Sequence, residues 1–271
     1  MKRPATRLLC SIAIALYCLA PFFWFILTSF KSPAELTAIP PELIPSFHVG
    51  FYRSALQNYG LLRYIVNSAI VAGAATLVTI AIGALAAYVM ARFRFRWTNI
   101  YLLMLLAIAM FPQIAIAGPI WSILDRLGWL NTYHGLVAAY VALSLPLAIW
   151  ILTTFFREVP GEIEEAALID GCSRLQALYR VVLPLAAPGI LTASLLVFIY
   201  AWNEFFFALI IVTDPDFHTL PVGIALFPGE YTMPWGEIAA ASTLATIPLI
   251  LLTLIFQRGI VRGLSAGAVK G

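Results

Sequence analysis

Six apolar runs decide what this chain can fold into: residues 8–30, 64–91, 100–124, 135–156, 185–212 and 238–256. A helix rising about 1.5 Å per residue needs roughly 20 such residues to cross a bilayer. In lipid, every backbone N–H and C=O must find its partner inside the segment, so runs of this kind are expected as helices. The chain as a whole agrees, with 62% hydrophobic residues, 11% charged and a mean hydropathy of +0.94. Those values lie far from soluble globular proteins, and the fold class expected is all-α, integral to the membrane, with six transmembrane helices. The first run is too long for a secretory apolar region and lacks an Ala-x-Ala cleavage site before the polar stretch, so a retained anchor is expected.

Pro21, Pro112, Pro119, Pro146 and Pro248 fall inside the runs, and a kink is expected at each. The second run is dense in small residues (Ala69, Ala72, Gly73, Ala74, Ala75, Ala81, Gly83, Ala84, Ala86, Ala87), which permits close helix contact without implying a ligand. Cys10 and Cys18 in the first run and Cys172 between the fourth and fifth are too few for a disulfide framework.

Basic residues set the orientation. With a cytoplasmic N-terminus, the inner segments hold Lys2, Arg3, Arg7, Arg92, Arg94, Arg96, Arg157, Arg174, Arg180, Arg258, Arg262 and Lys270, twelve of the sixteen Lys and Arg. Only Lys31, Arg53, Arg63 and Arg126 fall outside. That asymmetry predicts both termini in the cytoplasm. The net charge of +3 does not suggest nucleic-acid binding. The Arg92-Phe-Arg94-Phe-Arg96 alternation reads best as an interfacial anchor to membrane lipids.

Between the fourth and fifth runs, residues 159–188 are punctuated as a folded element. Pro160 suits a first helical turn, Glu162, Glu164 and Glu165 suit the positive end of the helix dipole, and Gly171 suits a left-handed stop. Ser173 with Gln176 three residues on forms a capping box for a second helix, along which Leu175, Leu178, Tyr179 and Val182 recur at helical spacing, predicting one apolar face.

The order Glu165-Ala166-Ala167, three residues, Gly171, nine residues, Val181-x-Leu183-Pro184 resembles the EAA loop of bacterial ABC-importer permeases. One position departs, Val181 standing where the family usually has Ile. The stretches Ala201-Trp202-Asn203-Glu204-Phe205 and Trp235 to Ala241, with the terminal Gly263 to Gly271, are similar to the smaller permease subunit of carbohydrate importers of the maltose-transporter type. The resemblance implies a type I importer permease fold: an N-terminal anchor helix and extracytoplasmic loop over 1–63, a five-helix core over 64–258 that contains the coupling segment 159–184, and a cytoplasmic tail over 259–271. It implies that Glu164, Glu165, Ala166, Ala167, Asp170, Gly171, Leu175, Tyr179 and Pro184 couple to an ATPase. The tail, with Gly263, Ser265, Gly267 and Lys270, reaches into the ATPase dimer. The implied partners are a second homologous permease, two ATPase subunits, an extracytoplasmic solute-binding protein and a carbohydrate, in the bacterial inner (plasma) membrane.

The residues themselves place ATP chemistry elsewhere. No G-x-x-x-x-G-K-[ST] sequence occurs, and Lys2, Lys31 and Lys270 are the only lysines. No cofactor is expected in this chain, ATP and Mg being held by the partner ATPase. His48, His134 and His218 lie scattered without metal-ligand spacing, so no metal site and no enzyme active site are expected. The competing class is an ion-coupled secondary transporter or channel subunit, which needs an ionisable group at mid-membrane. The acidic residue inside a run is Glu204, and a continuous helix from Pro184 puts it roughly 30 Å along, near the outer interface. Two readings stay open for it: a polar group lining the outward end of the pathway, or an interface-facing or Arg-paired carboxylate. Asn203 belongs with it as a candidate lining group. Asn67 and Ser68 near the outer start of the second run are either pathway groups or helix–helix hydrogen bonders.

Outside, residues 31–63 are too proline-rich to span and too apolar for simple disorder, which suits packing on a partner. The loop from Thr213 to Glu237 holds Asp214, Asp216, Glu230, Tyr231 and Trp235 and no basic residue, a set that suits sugar hydroxyls and faces, an interfacial belt, or contact with the binding protein. The tail carries three glycines in nine residues, so no stable free helix is expected there.

Overall fold

The computed structural model describes residues 3–93, 96–227 and 233–268, with side chains over 8–93, 96–227 and 233–256. Helix α1 is Arg3–Ser29, α2 is Leu61–Arg92, α3 is Thr98–Ala109, α4 is Gln113–Arg126 and α5 is Tyr133–Glu158. Helix α6 is Gly161–Ile169, α7 is Arg174–Leu185, α8 is Ala187–Asn203, α9 is Phe206–Ile211 and α10 is Trp235–Ala268. Among the described residues, four helices are each long and apolar enough to cross a membrane, and counting each of two bent pairs as one span brings the candidates to six.

The bent pairs divide two of the six expected runs more sharply than a kink would. The third run is broken at Met110-Phe111-Pro112, and α3 and α4 diverge by 89°. Pro112 has no N–H to donate back and disfavours helical backbone at Phe111, so the chain turns outright where a kink was expected. Pro21, Pro119, Pro146 and Pro248 sit within uninterrupted helices. The fifth run is divided as well. Helix α8 meets α7 at 81°, ends at Asn203, and α9 begins only after Glu204 and Phe205.

Packing separates the chain into two units, Met1–Ile65 with Val222–Pro248, and Val66–Pro221 with Leu249–Gly271. In the first, none of the apolar stretch of α1 is buried within the chain. The 31–63 loop folds in part on its own chain: the Phe51 ring lies where a side chain on Gly236 would stand, and Tyr59 packs on Phe227 at 4.5 Å, while just past the loop the Tyr64 ring of α2 fills the space beside Gly223. Ser32 and Glu35 form a capping box, and Ser46 closes it by donating to the Glu35 carboxylate at 2.9 Å. These bonds, led by the Ser32 N–H, hold the Glu35 carboxyl below the usual carboxylate range.

In the second unit α2, α5, α7 and α8 share a core of Ala84, Ala87, Tyr88, Leu152, Phe156, Leu178, Val182 and Ala193. The alanines of α2 let the backbones approach, and Gly189 leaves room for the Phe155 ring. Thr79 and Ser144 add an interhelical hydrogen bond at 3.1 Å.

Helix α10 corrects the tail expectation, since the backbone is helical through Gly263, Ser265 and Gly267. A glycine costs about 1 kcal/mol within a helix, yet extending a helix already nucleated by earlier turns avoids the larger cost of starting one. Lys270 lies outside the described residues.

Candidate functional site

The 159–185 segment is two short helices joined by a tight stop. Helix α6 starts after Pro160 and ends in a Schellman arrangement: Cys172 N–H donates to Ala167 O at 3.0 Å, Gly171 N–H donates to Leu168 O at 3.1 Å, and Gly171 has φ +89°. The expected capping box opens α7, with Ser173 N–H on Gln176 Oε1 at 2.8 Å and Gln176 N–H on Ser173 Oγ at 3.3 Å. Helix α7 then widens into a π-turn over Leu178–Val182.

That turn corrects the single apolar face. Leu178 and Val182 are buried in the core, whereas Leu175 and Tyr179 are 58% and 60% exposed. The first two bind α7 to its own chain and the second two stand free. Ile163 and Ile169 are exposed alongside Glu165, Ala166, Asp170 and Pro184, and Ala167 is half-buried. An apolar surface rimmed by carboxylates is thus presented outward from this segment.

Glu164 does something else. Its carboxylate is buried, accepts from the Tyr88 hydroxyl and pairs with Arg92 Nε at 2.6 Å. Arg92 also donates to Val159 O at 3.0 Å, Tyr88 OH lies 3.3 Å from Arg174 O, and the Arg174 guanidinium sits 5.1 Å from the Phe93 ring. The end of α2 is therefore clamped to the start of both α6 and α7. This corrects two expectations: Glu164 is an inward anchor and not an outward coupling group, and Arg92 is an ion-pair partner and not a lipid anchor. Arg94 lies outside the described residues, and Arg96 stacks at 5.5 Å on Trp97.

The other candidates assemble into a second polar region. Asn67 is 2% exposed and donates to Asp216 O and His218 O, both at 2.9 Å, while its Oδ1 accepts from Tyr133 OH at 2.7 Å. Ser68 Oγ accepts from Leu220 N–H at 2.7 Å. Asn67 is therefore a buried pin for the 213–220 loop and not a pathway group. Asn131, which sequence reading missed, holds the other side of that loop through Thr213 N–H at 2.7 Å and Asp214 N–H at 2.9 Å. Its φ of +55° is one that asparagine adopts more readily than most residues. Asp214, Asp216 and Trp235 are exposed, while Glu230 and Tyr231 lie outside the described residues. Burial pushes the His218 imidazole below its ordinary pKa against the opposing pull of Asp214. An Asn67→Leu variant is expected to free this loop and speed limited proteolysis within 213–220, with membrane insertion unchanged; an unaltered cleavage pattern would show the pin to be dispensable.

Glu204 is 5% exposed, and its carboxylate accepts from Phe207 N–H at 2.8 Å and Ala208 N–H at 3.0 Å. It caps the start of α9, where the sequence left open a lining group or an interface-facing or Arg-paired carboxylate. Asn203 is exposed and donates to Ile199 O at 2.7 Å.

The family described as binding-protein-dependent transport system inner membrane component matches residues 79–266. The chain belongs to that family. As a permease subunit it leaves ATP hydrolysis to a separate component. It is 43% identical over 271 residues to a trehalose/maltose transport system permease protein of Thermococcus litoralis, with 96% of this chain and 95% of that protein covered. It is 40% identical to a sulfoquinovosyl glycerol transport system permease protein of Agrobacterium fabrum, covering 93% of this chain and 89% of that one. Among solved structures, a crystal structure of a bacterial ABC transporter that imports the acidic polysaccharide alginate aligns with TM-score 0.79 at 22% identity, 94% of each chain being covered. That likeness speaks for the permease fold alone.

Proposed function

We propose that this permease forms half of the translocation pathway of an ATP-driven importer for a sugar or sugar derivative. The observation that carries the reading is near-complete coverage at 40% identity or more with permeases named for trehalose/maltose and for sulfoquinovosyl glycerol. The assembly comprises a second homologous permease, two ATPase subunits holding ATP and Mg, and an extracytoplasmic binding protein. Both termini are cytoplasmic. The exposed face of α6 and α7, with Glu165, Leu175 and Tyr179, docks on the ATPase, the tail reaches the same partner, and the unburied α1 meets the second permease and lipid. Asp214, Asp216, Glu230, Tyr231 and Trp235 meet the binding protein. Closure of the ATPases moves the α6–α7 pair as a rigid body and shifts the pathway between inward-facing and outward-facing states.

Reconstitution tests it. Alone, the chain is expected neither to hydrolyse ATP nor to move sugar on an imposed proton or sodium gradient; with its partners restored, uptake requires ATP and the binding protein. Gradient-driven uptake by the isolated subunit would overturn the reading. The orientation has its own test: a cysteine at Ser173 is expected to react only with reagents that enter the cytoplasm and one at Asp216 only from outside, and reversed labelling would refute it.

A further inference from the structure

We propose that the junction of the two broken spans, formed by Gln113, Tyr200 and Asn203 with Phe205 beside them, is a contact site for the hydroxyls and ring face of a neutral carbohydrate. This deepens the importer reading and rests on it. Two spans lose their helical backbone, one at Met110-Phe111-Pro112 and one at Glu204-Phe205. Gln113 Nε2 donates to Tyr200 OH at 3.0 Å, so the breaks lie side by side. The junction is not covered by its own chain: Met110 is 85% exposed, Phe111 54%, Phe205 39%, and Asn203 is exposed as well.

Irregular backbone and amide side chains do not face lipid tails, because each unsatisfied polar group there costs several kcal/mol. The junction therefore faces water or another protein chain, and its chemistry favours a wet path with a hydroxylated solute in it. Having accepted from Gln113, the Tyr200 hydroxyl keeps its proton to donate. Gln113 Oε1 and Asn203 Oδ1 keep acceptor capacity, with no partner among the described residues. Tyr200 and Asn203 are three residues apart on α8, hence neighbours on one face. The Tyr200 donor, with one acceptor on the Gln113 it bonds and another on Asn203 a turn along α8, matches ring hydroxyls, and an exposed aromatic ring matches a sugar's C–H face. No charge is offered: the carboxylate in the break, Glu204, is committed to two backbone N–H groups. An ion or a charged solute would find no counter-charge here, whereas a neutral polyol needs none.

The test uses the whole complex in proteoliposomes, with Cys10, Cys18 and Cys172 changed to Ser and Asn203→Cys introduced. Reaction of that thiol with a small water-soluble maleimide is timed in the nucleotide-trapped state, with and without whichever of the neutral sugars trehalose and maltose supports the faster ATP-driven uptake. The expected result is a reaction slowed about tenfold by the sugar, and in a separate Gln113→Leu variant a maximal uptake rate lowered by about tenfold at an unchanged half-saturating concentration of loaded binding protein. Gln113→Asn should restore part of it. A thiol that reacts equally with and without sugar, or one unreactive in every state because a second chain covers it, overturns the site. Absence of ATP-driven uptake of every sugar in the unmodified complex overturns the importer reading itself, so the two failures are distinguishable.

Discussion

A Glu164→Ala variant is expected to lose about 3–5 kcal/mol of stability and, with it, ATP-driven uptake. The carboxylate that disappears is the counter-charge to Arg92, and the two side chains are only 5% and 12% exposed. The truncation leaves a guanidinium in a site with little water, and Tyr88 loses its carboxylate acceptor and keeps only the longer bond to Arg174 O at 3.3 Å. The cost is mostly that of the orphaned charge, so a Glu164→Leu, Arg92→Leu double variant should recover most of the melting temperature. It should not recover transport, because α2 is no longer tied to α6. Thermal unfolding of the purified complex and sugar uptake, measured on the single and double variants, separate the two effects. Equal stability of Glu164→Ala and the unmodified protein would remove the clamp from the account.

The second large effect belongs to Gly171. A φ of +89° lies beyond any proline, whose ring fixes φ near −65°, and the Gly171 N–H donates to Leu168 O. Gly171→Pro must therefore unmake the stop between α6 and α7, at a local cost of roughly 3 kcal/mol or more. The expected outcome is a permease that inserts normally, loses its ATPase subunit on purification and supports no uptake. Glu165→Lys is the companion variant. Glu165 is exposed, so reversing its charge should leave thermal stability unchanged and still uncouple hydrolysis from transport. If both variants co-purify with the ATPase and keep substrate-stimulated hydrolysis, this segment does not couple.

What was legible in the sequence was whatever local chemistry decides. The Ser173–Gln176 box and the Gly171 stop involve partners within five residues, and both stand where their spacing put them. Helices α2 and α5 begin and end within a few residues of the apolar runs that predicted them. What was not legible depends on partners far along the chain. Arg92 finds Glu164 seventy-two positions later, and Asn67 finds carbonyls 149 and 151 positions away, so neither role leaves a trace in local pattern. The broken spans escaped for a different reason. Hydropathy averages composition over a window, and the window around Glu204 is as apolar as any continuous helix. Only the acceptance of two successive N–H groups by its carboxylate reveals that the helix restarts there.

The wide turn at Leu178–Val182 acts as a phase shifter between two mechanical elements. An α-turn advances about 100° per residue, and a π-turn takes in one extra residue without adding a full step of rotation. The azimuth of everything after it, including the 81° elbow into α8, is thereby offset from the exposed face of Leu175 and Tyr179. Removing a single residue inside the turn would let it relax to ordinary winding with α8 left near its present azimuth, whereas removing one on either side of the turn would swing α8 by about 100° around the α7 axis. The direction in which a push on this segment is delivered to the membrane is set by the number of residues on either side of the turn, while the turn itself absorbs one.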